Sequence, residues 1–81
     1  MPKRQLELIY PTHLIKEPLI YQMSREYDVV FNVRRARVTA KIGEIVLELE
    51  AQDDATLDQA VQFLVRKGVT VEPVTKSAVE S

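Results

Sequence analysis

Cysteine is absent from the 81 residues, which removes disulfides, thiolate metal centres and cysteine nucleophiles at once. Histidine is almost absent too. His13 stands alone with no second cluster of ligand-type residues nearby, so it reads as a solvated loop residue, not a metal ligand or a base. Charge of one sign is also lacking: 11 basic residues against 12 acidic ones leave a net charge of −1. The chain as a whole therefore has none of the cationic excess with which proteins hold phosphate backbones. No apolar run approaches the roughly 20 residues that span a bilayer, and no apolar signal core follows the basic pair Lys3-Arg4. These absences predict a soluble, unprocessed, cytoplasmic chain with no membrane insertion. At this length it forms one small domain whose own core is modest, and association with another chain would add burial.

What is present is a regular alternation of elements. Leu6, Leu8 and Tyr10 alternate with Gln5, Glu7 and Ile9, the period of a first strand. Pro11 ends it, and a loop leads to Pro18, suited to the first position of a helix because its missing N–H costs nothing there. Leu19, Ile20, Met23 and Tyr27 share one face of that helix, with Tyr21 off the stripe. A second helix carries Leu57, Ala60, Val61, Leu64 and Val65 at helical spacing, with Phe63 off its main stripe. Asp53-Asp54 stand where its cap and N-terminal negative charge belong, a reading preferred to acid/base chemistry. Gly68 stops it behind Arg66 and Lys67. Val69 and Val71 then alternate into a last strand, which Pro73 assigns to a sheet edge.

Between the helices, Asp28 to Glu50 read as a hairpin. Val29, Phe31 and Val33 have one parity, and Ala36, Val38 and Ala40 the other. One strand can present both sets to a core only if an extra residue is accommodated between them, so a bulge is expected at Arg34-Arg35. Closing the turn over Ile42-Gly43 sets Val38 opposite Leu47, Arg37 opposite Glu48 and Arg35 opposite Glu50, with Gly43 supplying the unusual turn angles. The resulting order, β-α-β-β-α-β, defines an α+β ferredoxin-like sandwich: a four-stranded antiparallel sheet, order 4-1-3-2, with two helices on one face. The domain is expected over 4–74, followed by a flexible tail over 75–81.

The sheet face without helices should carry Glu7, Ile9, Val30, Asn32, Arg35, Arg37, Val46, Glu48 and Glu50. RNA-binding domains of this topology stack bases on aromatic residues of that face. Here Ile9, Val30 and Val46 take those places, and the arginines face glutamates, so nucleic acid is not the expected partner. Three aliphatic residues framed by charge instead resemble an interaction or ligand patch. No nucleophile, base and stabiliser can be assembled from these residues, so no enzyme, cofactor or metal is expected.

Several stretches resemble one family. Pro18-Leu19 opens the first helix, Gly43 precedes Ile45-Val46-Leu47-Glu48-Leu49, and Ala60-Val61-Gln62-Phe63-Leu64 leads to Gly68-Val69-Thr70-Val71-Glu72. From about Arg4 to Val74 this order and spacing resemble the NIL domain, the ferredoxin-like module at the C-terminus of methionine-importer ABC ATPases and in some ferredoxin-containing proteins. The family's naming tripeptide, Asn-Ile-Leu, corresponds to Asn32-Val33-Arg34. The chain departs from the pattern in having Arg34 for the leucine, and Pro11-Thr12-His13 where the family often has glycine.

The resemblance implies a non-catalytic regulatory domain that senses methionine and pairs as a homodimer. It places Asn32 on the ligand, since an amide both donates and accepts, and leaves Val30, Ile9 and Val46 to meet a thioether side chain. Val33, Arg34, Arg35 and Arg37 form the candidate interface. With no ATPase in the chain, a transport role requires a separate ABC transporter or other protein partner. The alternative is an assembly module that uses the same face and binds no small molecule.

Overall fold

The alternation of the first strand carries through nine residues. In a computed structural model that describes residues 1–74, β1 spans Lys3–Pro11 and buries Leu6, Leu8 and Tyr10 on one side. A 3-10 turn, Thr12–Leu14, leads to α1 (Leu19–Glu26), β2 (Val29–Val38), β3 (Ile42–Ala51), α2 (Asp54–Arg66) and β4 (Thr70–Pro73). The strands lie in the order β2-β3-β1-β4, every neighbouring pair antiparallel. This is the expected α+β ferredoxin-like sheet, with β2 and the proline-bearing β4 at its edges. The tail expected over 75–81 lies outside the described residues.

Both helices follow from their sequences. In α1, Leu19 and Met23 are buried one turn apart, while Ile20 and Tyr27 are half-buried. Pro18 sits one position outside the expected first helical place, as the N-cap, and no side chain caps the helix. In α2 the Asp53 carboxylate accepts the Thr56 amide at 2.8 Å and its hydroxyl at 2.7 Å, an N-cap that satisfies one of the helix's orphan donors. Those hydrogen bonds, that of the hydroxyl foremost, hold the Asp53 carboxyl below its ordinary range. At the other end Gly68 has φ +104°. Its N–H donates to the Val65 carbonyl at 3.0 Å and the Val69 N–H to Leu64 at 3.1 Å. That pair of bonds is a Schellman stop, and it turns Val69 inward, where it is buried.

The core lies between the sheet and the helices, with Leu8, Met23, Leu47, Leu49, Leu57 and Leu64 fully enclosed. Each such side chain contributes about 1.5–3 kcal/mol through removal from water. Tyr27 and Phe63 close one side edge to face, centroids 5.9 Å apart, so Phe63 is a boundary residue of the core. Arg4 ties β1 to α2, its guanidinium donating to Asp58 at 2.7 Å with Asp54 at 3.4 Å.

The hairpin bears out the bulge and corrects the register. The ladder shifts between Val33 and Arg35, as parity requires. Its partners, however, are Val38 with Gly43, Arg37 with Glu44 and Arg35 with Val46, while Glu48 faces Asn32 and Glu50 faces Val30. The turn is responsible. Thr39 donates its N–H to the Ile42 carbonyl, and its hydroxyl accepts from the amides of Lys41 and Ile42. This side-chain-stabilised turn over Thr39–Ile42 ends β2 earlier than expected. Gly43 is therefore a strand residue with no positive φ, and the expected turn geometry is not its role.

Candidate functional site

Parity places the sheet's two faces as the sequence indicates, and the corrected register decides which residues meet. On the open face Asn32 lies opposite Glu48, which accepts a hydrogen bond from Gln5 Nε2 at 3.2 Å. A polar row of Asn32, Glu48 and Gln5 thus crosses three strands. Val46 sits between Glu7 and Arg35. It is only 8% exposed although it lies outside the main core. Ile9, opposite Glu44, is diagonal to Val46 and half-buried.

Val30 lies apart from these two. It faces Glu50 on the far side of the polar row and is 65% exposed. Glu50 is four residue steps along β3 from Val46, about 13 Å along a strand. Ile9 and Val46 therefore form one small apolar spot, Val30 stands by itself, and Asn32 lies between them.

The second feature is on the helix side, in a place for which the sequence predicts no ligand-binding residue. An apolar pocket of about 160 Å³ opens between the sheet and the chain entering α1. Tyr10, Gly43, Ile45 and Val38 contribute from three strands, Ile15, Glu17 and Pro18 from the connection, and Leu19, Ile20 and Tyr21 from α1. The glycine helps to open it: a Cβ at Gly43 would stand 3.5 Å from Tyr10 Cβ and 3.7 Å from Ile15 Cγ1. The volume is close to the ~150 Å³ of an apolar cavity that admits benzene, so it suits one mid-sized side chain. Burial pushes the Tyr10 phenol up to about 12, so it is neutral at physiological pH. Glu17 is the charged residue of the lining, and the Ile20 and Tyr21 amides, in the first turn of α1, have no intrahelical acceptor by position.

Two signals in the sequence mark this pocket. Leu14 and Ile15 are apolar residues in a connection and must cover something, and a glycine inside a strand signals close approach or missing volume. His13 is exposed in the 3-10 turn, and among the described residues no group of three metal-ligating side chains converges.

The third feature is β2 itself. Val29 is buried, and every later residue of the strand is exposed. Phe31, Val33 and Val38 have the parity of the core face, yet they are 39%, 45% and 60% exposed. Helix α1 has eight residues, about 12 Å of length against roughly 33 Å for the ten residues of β2, so it cannot cover the whole strand. The residues named as interface, Val33, Arg34, Arg35 and Arg37, all lie on this edge.

Fold and site together define a ferredoxin-like open-faced sandwich with a small apolar pocket beside an exposed edge strand. More particularly, the NIL domain family matches residues 4–73, and the chain belongs to it. The chain is 34% identical over 59 residues to the Methionine import ATP-binding protein MetN 2 of Acinetobacter baylyi, covering 69% of this chain and 17% of that protein. It is 37% identical over 59 residues to the Methionine import ATP-binding protein MetN of Helicobacter hepaticus, covering 68% and 16%. The chain thus spans about one sixth of the length of these relatives.

Among solved structures, the C-terminal domain of an ABC transporter ATP-binding protein from Enterococcus faecalis superposes with a TM-score of 0.75. Its identity is 17%, over 90% of this chain and 84% of that one. A de novo designed protein, Foldit4, superposes at 0.56 with 17% identity, over 91% and 96%. Both likenesses concern the fold. Among the described residues no helix is long and apolar enough to cross a membrane.

Proposed function

We propose that this chain is a non-catalytic regulatory domain that binds methionine or a related small amino acid and works as a homodimer in the cytoplasm, in association with an ABC transporter or another protein partner. Membership of the NIL family, whose matched relatives are methionine-import ATPases, carries the reading. An exposed edge strand and a pocket of side-chain size support it.

In the reading that the resemblance implies, the ligand lies against Asn32, with Ile9, Val46 and Val30 as its apolar contacts. The helix-side pocket favours a second position for the same ligand. There an apolar side chain enters among Ile15, Val38 and Ile45, its ammonium near Glu17 and its carboxylate toward the Ile20 and Tyr21 amides. The two positions are on opposite sheet faces, so variants separate them. Titration calorimetry with methionine should show saturable binding. Loss on Asn32→Ala assigns the open face, and loss on Gly43→Val, which fills the pocket, assigns the helix side. No heat at millimolar methionine refutes amino-acid sensing and leaves the domain as an assembly module.

A further inference from the structure

We propose that the outer face of α2 carries a separate ligand site, which takes a dipeptide by its free ammonium and carboxylate. The site shares no residue with either position considered above for the amino acid, so it is independent of that reading.

A groove of about 330 Å³ lies between α2 and the end of α1, lined by Tyr27, Asp58, Gln59, Gln62 and Arg66. Its size is at the lower end of the roughly 300–1,000 Å³ of small-molecule sites. Asp58, Gln62 and Arg66 follow one another at intervals of four residues, the spacing that stacks side chains along one helix face. All three are exposed, while Leu57, Ala60 and Leu64 turn inward. Gln59 lies beside them, and Tyr27 reaches the groove from the C-cap of α1.

Both charged ends of the groove are held from behind, and each keeps capacity for a ligand. Arg4 Nη1 donates to Asp58 Oδ1 at 2.7 Å, which fixes the carboxylate and leaves its second oxygen without a partner among the described residues. The Tyr27 ring is set edge to face on Phe63, and its oxygen accepts from Arg66 Nη2 at 3.2 Å. A phenol that accepts still has its own O–H to give, and a guanidinium has further N–H donors beyond the one used. Among the described residues no carboxylate pairs with Arg66. Arg66 and Tyr27 therefore offer donors to one anionic group, and a guanidinium fork suits a carboxylate. At the other end Asp58 offers an acceptor to an ammonium.

Spacing sets the length of the ligand. Asp58 and Arg66 are eight residues apart in α2, about 12 Å between their Cα atoms. Helical side chains lean toward the N-terminus, and Arg66 reaches Tyr27 beside Phe63. That brings its charge about 5 Å, one turn, nearer to Asp58, so about 7 Å separates the two charged groups. One residue spans only about 3.5 Å and two extended residues about 7 Å, so a single α-amino acid is too short and a dipeptide fits. The second residue also brings a peptide bond. The Gln59 and Gln62 carboxamides, between the charged ends, can donate to its C=O and accept from its N–H.

Nuclear magnetic resonance on the full chain, with the dipeptide alanylalanine as probe, tests the site. The side-chain amide signals of Gln59 and Gln62 should shift saturably. Arg66→Gln should weaken binding about tenfold, through loss of a charged hydrogen-bond donor. Tyr27→Phe keeps the ring on Phe63 and should weaken binding too. Acetylating the dipeptide's amine or amidating its carboxylate should have the same effect, and alanine alone should bind more weakly than the dipeptide. No saturable shift at high millimolar alanylalanine overturns the inference, as does equal affinity for alanine or binding that neither variant weakens. Shifts confined to the surroundings of Asn32 or Gly43 overturn it as well, and leave the amino-acid reading intact.

Discussion

The chain has two glycines, and replacing each by alanine should have opposite outcomes. At Gly68, φ is +104°, a region in which an L side chain costs about 1–2 kcal/mol. The added Cβ would also stand 3.1 Å from Leu14 Cδ1, the end of a half-buried side chain that can yield by a few tenths of an ångström. Against this, alanine restricts the unfolded chain, an offset of about 0.4–1 kcal/mol. The net expectation for Gly68→Ala is a loss of about 1 kcal/mol, or roughly 4–8 °C in Tm for a domain this small. If the backbone instead relaxes to negative φ, the Gly68 and Val69 amides lose their acceptors and Val69 leaves the core, so the loss is larger.

Gly43 is buried in β3 without a positive φ, and its Cβ would make ordinary contacts. Gly43→Ala should therefore leave stability within about 0.5 kcal/mol, or raise it. Urea unfolding followed by far-UV circular dichroism, with the m-value unchanged between variants, measures both. Equal stability of Gly68→Ala and wild type, or a fall at Gly43→Ala as large as at Gly68→Ala, would refute this account of the helix stop and the strand glycine.

Leu8→Ala opens a cavity at the centre of the sheet, where Leu8 is fully enclosed. It should cost about 3–5 kcal/mol, a large share of the stability of so small a domain, visible as a strongly lowered urea midpoint. Asp53 has its carboxyl lowered by the Thr56 hydroxyl and amide. The cap's contribution is thus present above about pH 4, the unfolded carboxylate range, and is lost as pH falls through the lower folded value. Asp53→Asn should flatten this acid arm in melts recorded across that range, and an unchanged slope would show that the cap does not depend on charge. Burial raises the Tyr10 phenol to about 12, so its contribution is intact below the unfolded value near 10 and is lost as pH rises through the folded one. Tyr10→Phe should remove that alkaline loss in the same assay, and an alkaline arm identical to wild type would contradict it.

Much of this molecule could be read locally. Strand parity is a period of two and helix faces follow a period of 3.6, so Leu6, Leu8 and Tyr10, or Leu57, Ala60 and Leu64, declare their side without reference to the rest of the chain. The bulge is legible for the same reason, because a change of parity between Val33 and Ala36 has no other solution within one strand. The Asp53 cap and the Gly68 stop depend on residues within one turn of themselves. The family resemblance rests on these same local features in order, which is why the sequence alone supported it.

What the sequence reading got wrong or did not reach involves distance along the chain. Sliding β3 against β2 by an even number of residues keeps every side chain on its face. Apolar and charge patterns therefore accepted the pairing of Val38 with Leu47 as readily as the actual pairing with Gly43. The Thr39 hydroxyl, bonded to two amides of the turn, decided between them. The helix-side pocket exists only because the connection after β1 folds Ile15 and Pro18 over the missing side chain of Gly43. The exposure of Phe31, Val33 and Val38 has the same character. Their parity says core, and only the placement of an eight-residue α1 leaves them uncovered. Sequence determined which face each residue occupies, and tertiary structure determined what, if anything, stands opposite it.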